Sequence, residues 1–147
     1  MLLRVSALLL VTVGLCAACD CREPNVAFKR DHADIIFRGT IVELRESSKP
    51  SAVSAGWGRD LGKTVVFRVS RVWKGQVGQT FEIPAIEETS MCMGFWPDYL
   101  KVGQELLVYA THFEGSEYMT GICGGHKAAK DARKDFRVLG RGGEPLR

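Results

Sequence analysis

The sequence of 147 residues lacks any block of charge of one sign. Its 20 lysines and arginines are interspersed with 17 acidic residues, and the formal net charge is +3 at pH 7. Without a contiguous basic stretch, nucleic acid is not expected as a partner. After residue 18 the sequence also lacks an apolar run of the length that a membrane-spanning helix needs.

Sequence signatures of catalysis are missing as well. The three histidines, His32, His112 and His126, fall in different predicted elements, and none has metal-ligand spacing to a neighbour. The sequence contains no HExxH motif, no glycine-rich phosphate loop and no nucleophile elbow. We therefore expect a protein that is not an enzyme and that needs no cofactor.

Residues 1–18 have the pattern of an export signal. Arg4 forms a short basic region, residues 5–15 are apolar, and the small residues Cys16-Ala17-Ala18 follow them. The apolar stretch is short for a bilayer, so a retained membrane anchor is the less favoured alternative. We expect cleavage after Ala18, which makes residues 19–147 one small exported domain, extracellular or periplasmic, with a formal charge of +2.

The cysteine count agrees with cleavage at this site. The chain has five cysteines, an odd number, and cleavage removes Cys16 and leaves Cys19, Cys21, Cys92 and Cys123. An even number in an exported chain indicates two disulfides, and the sequence leaves all three connectivities open. A structural zinc site is disfavoured, because Cys19-x-Cys21 is one residue short of the usual CxxC pair.

Hydrophobic periodicity predicts a mainly β domain with a helix near each end. Alternating or continuous apolar residues indicate five strands, at residues 35–44, 63–73, 80–86, 104–111 and 117–123. Gly39, inside the first strand, predicts a bulge or bend. A short helix is expected over residues 25–33 and a longer one over residues 127–139, where apolar residues recur at spacings of four, four and three. Five strands with a closing helix predict a small barrel.

The arrangement of the cysteines and of several short motifs resembles the netrin-like domain family. The resemblance lies, in chain order, in Cys19-x-Cys21, Ala27-Phe28, Ala33-Asp34, Phe37-x-Gly39, Phe67-Arg68-Val69, Val72-Trp73-Lys74-Gly75, Cys92, Val102-Gly103, Val108-Tyr109-Ala110 and Cys123. It covers nearly all of residues 19–147 and is strongest to the N-terminal domain of tissue inhibitors of metalloproteinases, in the single-domain form of bacterial relatives. The resemblance implies a five-stranded OB-type barrel with Cys19 bonded to Cys92 and Cys21 bonded to Cys123.

The resemblance also implies a function. In those inhibitors the α-amine and carbonyl oxygen of the first cysteine chelate the catalytic zinc of the target protease. At the matching positions here, Cys19 is the chelator and the side chain of Asp20 enters the pocket beside the metal. Cys21, Arg22 and the segment Ser90-Met91-Cys92 form the adjoining ridge. The implied activity is inhibition of a zinc metalloprotease, with the zinc belonging to the partner.

Two other functions stay open. The domain is a binding module of the envelope or extracellular space if its loops engage another protein and its cysteines serve only as structural links. It is a lipoprotein if Cys16-Ala17-Ala18-Cys19, which is a degenerate lipoprotein processing site, directs lipidation of Cys19. The membrane is a partner only in this last case, in which Cys19 would lose both its free amine and its disulfide.

Overall fold

A computed structural model describes residues 19, 21–47, 62–85, 92–113 and 117–147. The expected signal segment, residues 1–18, lies outside these ranges. So do three of the predicted site residues, Asp20, Ser90 and Met91.

The described part of the chain is mainly β, with six strands and two α-helices. Helix α1 spans Val26–His32, and helix α2 spans Arg133–Leu139. Between them the strands are β1 (Ile35–Glu46), β2 (Lys63–Lys74), β3 (Thr80–Pro84), β4 (Glu105–His112), β5 (Tyr118–Met119) and β6 (His126–Ala128). Among the described residues, no helix has the length and apolar character needed to cross a membrane.

Every strand pair in the sheet is antiparallel. The strand order is β3-β2-β1-β4-β5, and β6 also pairs with β4. The register between β1 and β2 shifts at three places, one of them between Arg38 and Gly39. A Cβ at Gly39 would lie only 3.2 Å from the Cβ of Phe67, so the neighbouring strand approaches closely here. The irregularity that Gly39 predicts is confirmed.

Strand β4 is buried on both faces, as its continuous apolar sequence predicts. Leu106 and Val108 lie in the larger hydrophobic core, whereas Leu107 and Tyr109 lie in a smaller one. Successive side chains of a strand point to opposite faces, so the two cores lie on opposite sides of the sheet. Phe136 of α2 packs against the smaller core.

The C-terminal helix is shorter than predicted, and the sheet has one more strand than predicted. Only Arg133–Leu139 is α-helical, whereas His126–Ala128 forms β6. Ala128 and Ala132 are buried as their spacing requires, but a strand and a 3-10 turn bury them instead of a helix. Pairing with β6 satisfies backbone groups of β4 that would otherwise form an open sheet edge, and this outweighs a weak helical preference.

The two ends of the strand order approach one another. The ring centroids of Phe81 in β3 and Tyr118 in β5 are 5.5 Å apart. Within the described ranges, however, β3 and β5 stand at opposite ends of the hydrogen-bonded strand order. Closure into an OB-type barrel therefore stays a prediction.

Candidate functional site

Two disulfides fix the first described residues of the chain. Cys19 pairs with Cys92, and Cys21 pairs with Cys123. These are the two pairs that the resemblance implies. The bonds span 73 and 102 residues, and the loop-closure model assigns each about 4 kcal/mol of stabilisation. Since disulfides persist in oxidising compartments, the two bonds indicate an extracytoplasmic environment.

Because all four of these cysteines are in disulfides, none of them offers a thiolate to zinc. No group of three or more His, Cys, Asp or Glu side chains within the described ranges could hold a metal ion.

The two segments that receive the N-terminus are joined to each other by backbone hydrogen bonds. The N–H of Gly94 donates to the carbonyl of Thr120 over 2.8 Å, and the N–H of Ile122 donates to the carbonyl of Cys92 over 3.0 Å. Cys92 has a φ of +57°, in the left-handed region that L side chains rarely adopt. The disulfide and the hydrogen bond to its carbonyl hold this residue in that conformation.

Trp96 extends this connection through its indole and its backbone. The indole N–H donates to the carbonyl of Ile122 over 2.9 Å, and the backbone N–H donates to Nε2 of His126 over 3.1 Å. The indole is nevertheless 42% exposed. Trp96 is therefore an aromatic surface residue whose orientation is fixed from beneath.

His126 is the buried group under this segment. It is 5% exposed, and its ring lies 4.9 Å from that of Phe95 and 5.4 Å from that of Tyr99. Burial lowers the pKa of His126 to about 4, although the nearby backbone of Gly121 opposes the shift. The imidazole is neutral at pH 7, with Nε2 as acceptor and the proton on Nδ1. Nδ1 makes no hydrogen bond of good geometry within the described ranges.

A cluster of charged residues anchors the chain just after the first two cysteines. Nζ of Lys29 lies 2.9 Å from Oδ1 of Asp135 and 3.1 Å from Oε1 of Glu23. Nζ of Lys127 lies 2.7 Å from the same oxygen of Glu23. The hydroxyl of Tyr109 donates to Oδ1 of Asp135 over 3.0 Å. The cluster thus joins the N-terminal segment to both helices, β4 and β6.

The cations of this cluster keep its carboxyl groups ionised. The hydrogen bond from Lys127 is the largest cause of the lowered pKa of Glu23. Burial by itself raises the pKa of Asp135, but Lys29, with Tyr109 and Lys127, lowers it on balance. Burial, followed by the charge of Asp135, raises the pKa of Tyr109 far above its ordinary value. Tyr109 is therefore a permanent hydrogen-bond donor, and the cluster is a structural anchor.

Four of the predicted site residues lie within the described part of the chain. The structure joins Cys19 to Cys92 covalently, which brings the expected chelating residue to the expected ridge. Cys21 and Arg22 follow as exposed residues.

The sequence prediction missed the supports of this site. Lys29 had a usable signal, because it falls on the same helical face as the buried Val26 of α1 and the buried Ala33 that caps this helix, and a buried lysine requires a partner. The contact between Trp96 and His126 had no such signal, since the two residues are 30 positions apart.

Comparison with models of known protein families finds no match to this chain, and a search of curated proteins finds no similar sequence. The netrin-like assignment accordingly rests on the resemblance of its residues and is a proposal.

Proposed function

We propose that the protein is an exported, non-enzymatic netrin-like domain with an OB-type barrel that inhibits zinc metalloproteases through Cys19. In this proposal residues 1–18 are removed as a signal peptide, and Cys19 becomes the first residue. Its α-amine and carbonyl oxygen then chelate the catalytic zinc of the target. The observation that carries the proposal is the disulfide between Cys19 and Cys92, which fixes the chelating residue on the body of the domain.

The chemistry of an N-terminal cysteine favours this role. Its amine nitrogen and carbonyl oxygen are spaced to form a five-membered chelate ring with one metal ion. An α-amine has an unperturbed pKa of about 7.7–8.0, so losing a proton to bind zinc near neutral pH is inexpensive. A catalytic zinc keeps one coordination position open for such a ligand.

The rigidity of the surrounding segments supports the same proposal. Two disulfides hold Cys19 and Cys21, and their partners lie on segments joined by the hydrogen bonds of Gly94 and Ile122. A fixed binding end loses little conformational entropy when a complex forms. The left-handed conformation of Cys92 is a second support, since strained backbone is concentrated at binding sites.

Trp96 adds an apolar contact to the proposed interface. Exposed tryptophans that are well fixed are frequent energetic centres of protein interfaces. Trp96 follows Cys92 by four residues, and its indole is held by the carbonyl of Ile122. In our proposal the ridge beside the zinc therefore comprises Cys21, Arg22, residues 90–92 and Trp96.

Asp20 specifies the kind of protease. Its carboxylate would enter the pocket beside the zinc, and burial of an unpaired charge costs several kcal/mol. The proposed targets are therefore proteases whose pocket offers a basic group or water. Replacement Asp20→Thr should strengthen inhibition of proteases with apolar pockets, measured as a lower inhibition constant. Unchanged or weaker inhibition would contradict this placement of Asp20.

The structure favours a binding module over a lipoprotein as the second candidate. A sulfur that carries a lipid cannot also form a disulfide, so the bond between Cys19 and Cys92 conflicts with lipidation.

The decisive experiment compares two forms of the mature protein that differ by one residue. The form that begins at Cys19 should inhibit a zinc metalloprotease, and the form with one alanine added before Cys19 should lose inhibition at least about 100-fold, since its amine can no longer reach the metal. Circular dichroism should show the same fold for both. Equal inhibition by the two forms would contradict chelation by Cys19. Intact mass from the native host should give residues 19–147 with two disulfides, and added lipid mass would exclude the proposal.

A further inference from the structure

The C-terminal half of β2 carries a second surface feature, separate from the disulfide-linked end. Arg68 and Arg71 lie three residues apart, so in a regular strand their side chains would point to opposite faces. The pairing with β1 skips Ser70, because Val69 and Arg71 pair with consecutive residues of β1. This bulge turns Arg71 outward, and both arginines are exposed while Val69 between them is buried.

The C-terminal segment forms the other wall of a groove at these arginines. The backbone groups of Gly143 and Val72 exchange two hydrogen bonds, of 2.7 and 2.9 Å. The N–H of Leu146 donates to the carbonyl of Val77 over 2.9 Å. Gly142 permits the close approach, since a Cβ there would lie 2.8 Å from the carbonyl oxygen of Val72.

The groove between these walls has a volume of about 340 Å³. Its polar lining consists of Arg68, Ser70, Arg71, Gln79, Glu144 and Arg147. The lining side chains thus include three guanidinium groups and one carboxylate. A volume of this size lies at the lower end of the range for small-molecule sites, about 300–1,000 Å³.

The guanidinium groups of this groove are not engaged by carboxylates. Among the described residues, the side chains of Arg68 and Arg147 have no hydrogen-bond or ion-pair partner, and the side chain of Arg71 donates only to the carbonyl of Gly142, over 3.2 Å. Arg38 on the adjacent strand differs, because Glu105 accepts two hydrogen bonds from it, of 2.8 and 2.7 Å. A ligand entering the groove therefore has no ion pair to break.

We propose that this groove binds an anion carrying at least two phosphate or sulfate groups. Guanidinium groups bind such oxyanions with two parallel hydrogen bonds, which gives both affinity and orientation. Counted over the lining side chains, three arginines stand against Glu144, which suits a ligand with more than one negative charge. The site shares no residue with the proposed protease-binding end, so it stands whether or not the protein inhibits a protease.

The first test is calorimetric titration of the full-length mature protein with pyrophosphate at low salt. Saturable binding is expected, and Arg68→Gln/Arg71→Gln should weaken it at least about tenfold, because hydrogen bonds between charged groups are lost. Arg137→Gln is the matched control, since it removes one exposed arginine from α2 and should change affinity less than twofold. Arg68→Lys/Arg71→Lys keeps the positive charges but removes the paired N–H donors of the guanidinium groups, and it should weaken binding by an intermediate factor.

A second arm distinguishes a free ligand from a lipid headgroup. The protein is sedimented with vesicles of phosphatidylglycerol or of phosphatidylcholine, with and without pyrophosphate. If the protein sediments with the phosphatidylglycerol vesicles and pyrophosphate releases it, the result would support the groove and identify a lipid headgroup as a ligand. Binding of pyrophosphate alone would support the groove with a free ligand.

Three results would overturn the proposal. The first is no saturable binding in either arm. The second is equal weakening by Arg137→Gln, which would show a general charge effect. The third is unchanged affinity in Arg68→Gln/Arg71→Gln. If that double variant does not fold, Arg147→Gln replaces it, because Arg147 lies outside every strand, and unchanged affinity there would equally overturn the proposal.

Discussion

Trp96 donates its backbone N–H to Nε2 of His126, so the segment that begins at Cys92 is held by a nitrogen that must stay unprotonated. Protonation would convert Nε2 from an acceptor into a donor and would break this bond. The proposed binding end of the molecule therefore depends on a neutral histidine beneath it.

The first prediction concerns pH. The pKa of His126 is about 4 in the folded state and near 6.5 in the unfolded state, so between these pH values mainly the unfolded state binds this proton. The free energy of unfolding should fall as pH falls from 6.5 towards 4, by up to about 3 kcal/mol in total. Urea unfolding at pH 6.5 and pH 5 measures the upper part of this loss.

The matched variants for this prediction are His126→Gln and His32→Gln. The glutamine at position 126 can still accept the hydrogen bond from Trp96 but does not titrate, so the pH dependence should flatten. His32 is exposed, and its replacement is the control for the loss of a histidine elsewhere in the domain. An identical slope in His126→Gln and the wild-type protein would contradict the role of His126.

The second prediction concerns the buried ion pair of Lys29 and Asp135. Replacement Lys29→Met leaves the buried carboxylate without its nearest cation, and stability should fall by about 3–5 kcal/mol. Chemical denaturation measures the loss. The double variant Lys29→Met/Asp135→Leu should recover part of it, because the uncompensated charge is gone. A double variant that is less stable than Lys29→Met would contradict this explanation.

Acid should weaken the same cluster. The pKa of Asp135 is below its ordinary value in the folded state, so its stabilisation is present above the unfolded pKa and is lost as pH falls through the folded value. This loss of stability begins near pH 4. It therefore occurs at lower pH than most of the loss that His126 causes between pH 6.5 and 4. Asp135→Asn should remove it from the acid unfolding curve.

The third prediction separates the two disulfides. Replacing either pair with alanines should lower the free energy of unfolding by about 4 kcal/mol on the loop-closure model. Only removal of the bond between Cys19 and Cys92 should greatly weaken protease inhibition at temperatures where the variants are folded. Equal loss of inhibition in Cys21→Ala/Cys123→Ala would show that general stability, and not the position of Cys19, determines inhibition.

The fourth prediction concerns Trp96 in the proposed interface. Trp96→Ala should weaken inhibition by about 2 kcal/mol or more, as is usual for a central interface tryptophan. Its effect on stability should stay near 1 kcal/mol, the value of one lost neutral hydrogen bond. Phe28→Ala is the control, because Phe28 is a similarly exposed aromatic residue on α1. Inhibition that is unchanged by Trp96→Ala would exclude this residue from the interface.

The sequence predicted the strands whose burial follows a simple period. The alternation of Val65, Phe67 and Val69 placed β2 correctly, and the continuous apolar run placed β4 correctly. Residues 127 and 128 were wrongly assigned to the C-terminal helix, because the apolar spacing of Ala128 and Ala132 fits a helix. The backbone of residues 126–128 instead pairs with residues 106–108 of β4. Local periodicity contains no information on such a partner.

The candidate sites show the same difference between features that are local in the sequence and features that depend on distant partners. The even number of cysteines after residue 18 predicted two disulfides, but only the resemblance implied that Cys19 pairs with Cys92 and Cys21 with Cys123. The groove at Arg68 and Arg71 could not be predicted, since it depends on a bulge against β1 and on a C-terminal segment that docks 70 residues later. A chain without a basic block can still assemble a basic surface through its fold.

The two disulfides also determine when the domain can be completed. A ribosome delivers Cys19 and Cys21 early, and their native partners follow only 73 and 102 residues later. Until Cys123 is made, the thiol of Cys21 can form only non-native pairs, for example with Cys19 or Cys92. Formation of the two native pairs therefore depends on an oxidising environment in which wrongly paired thiols can exchange, and a catalyst of disulfide exchange should raise the yield of native protein.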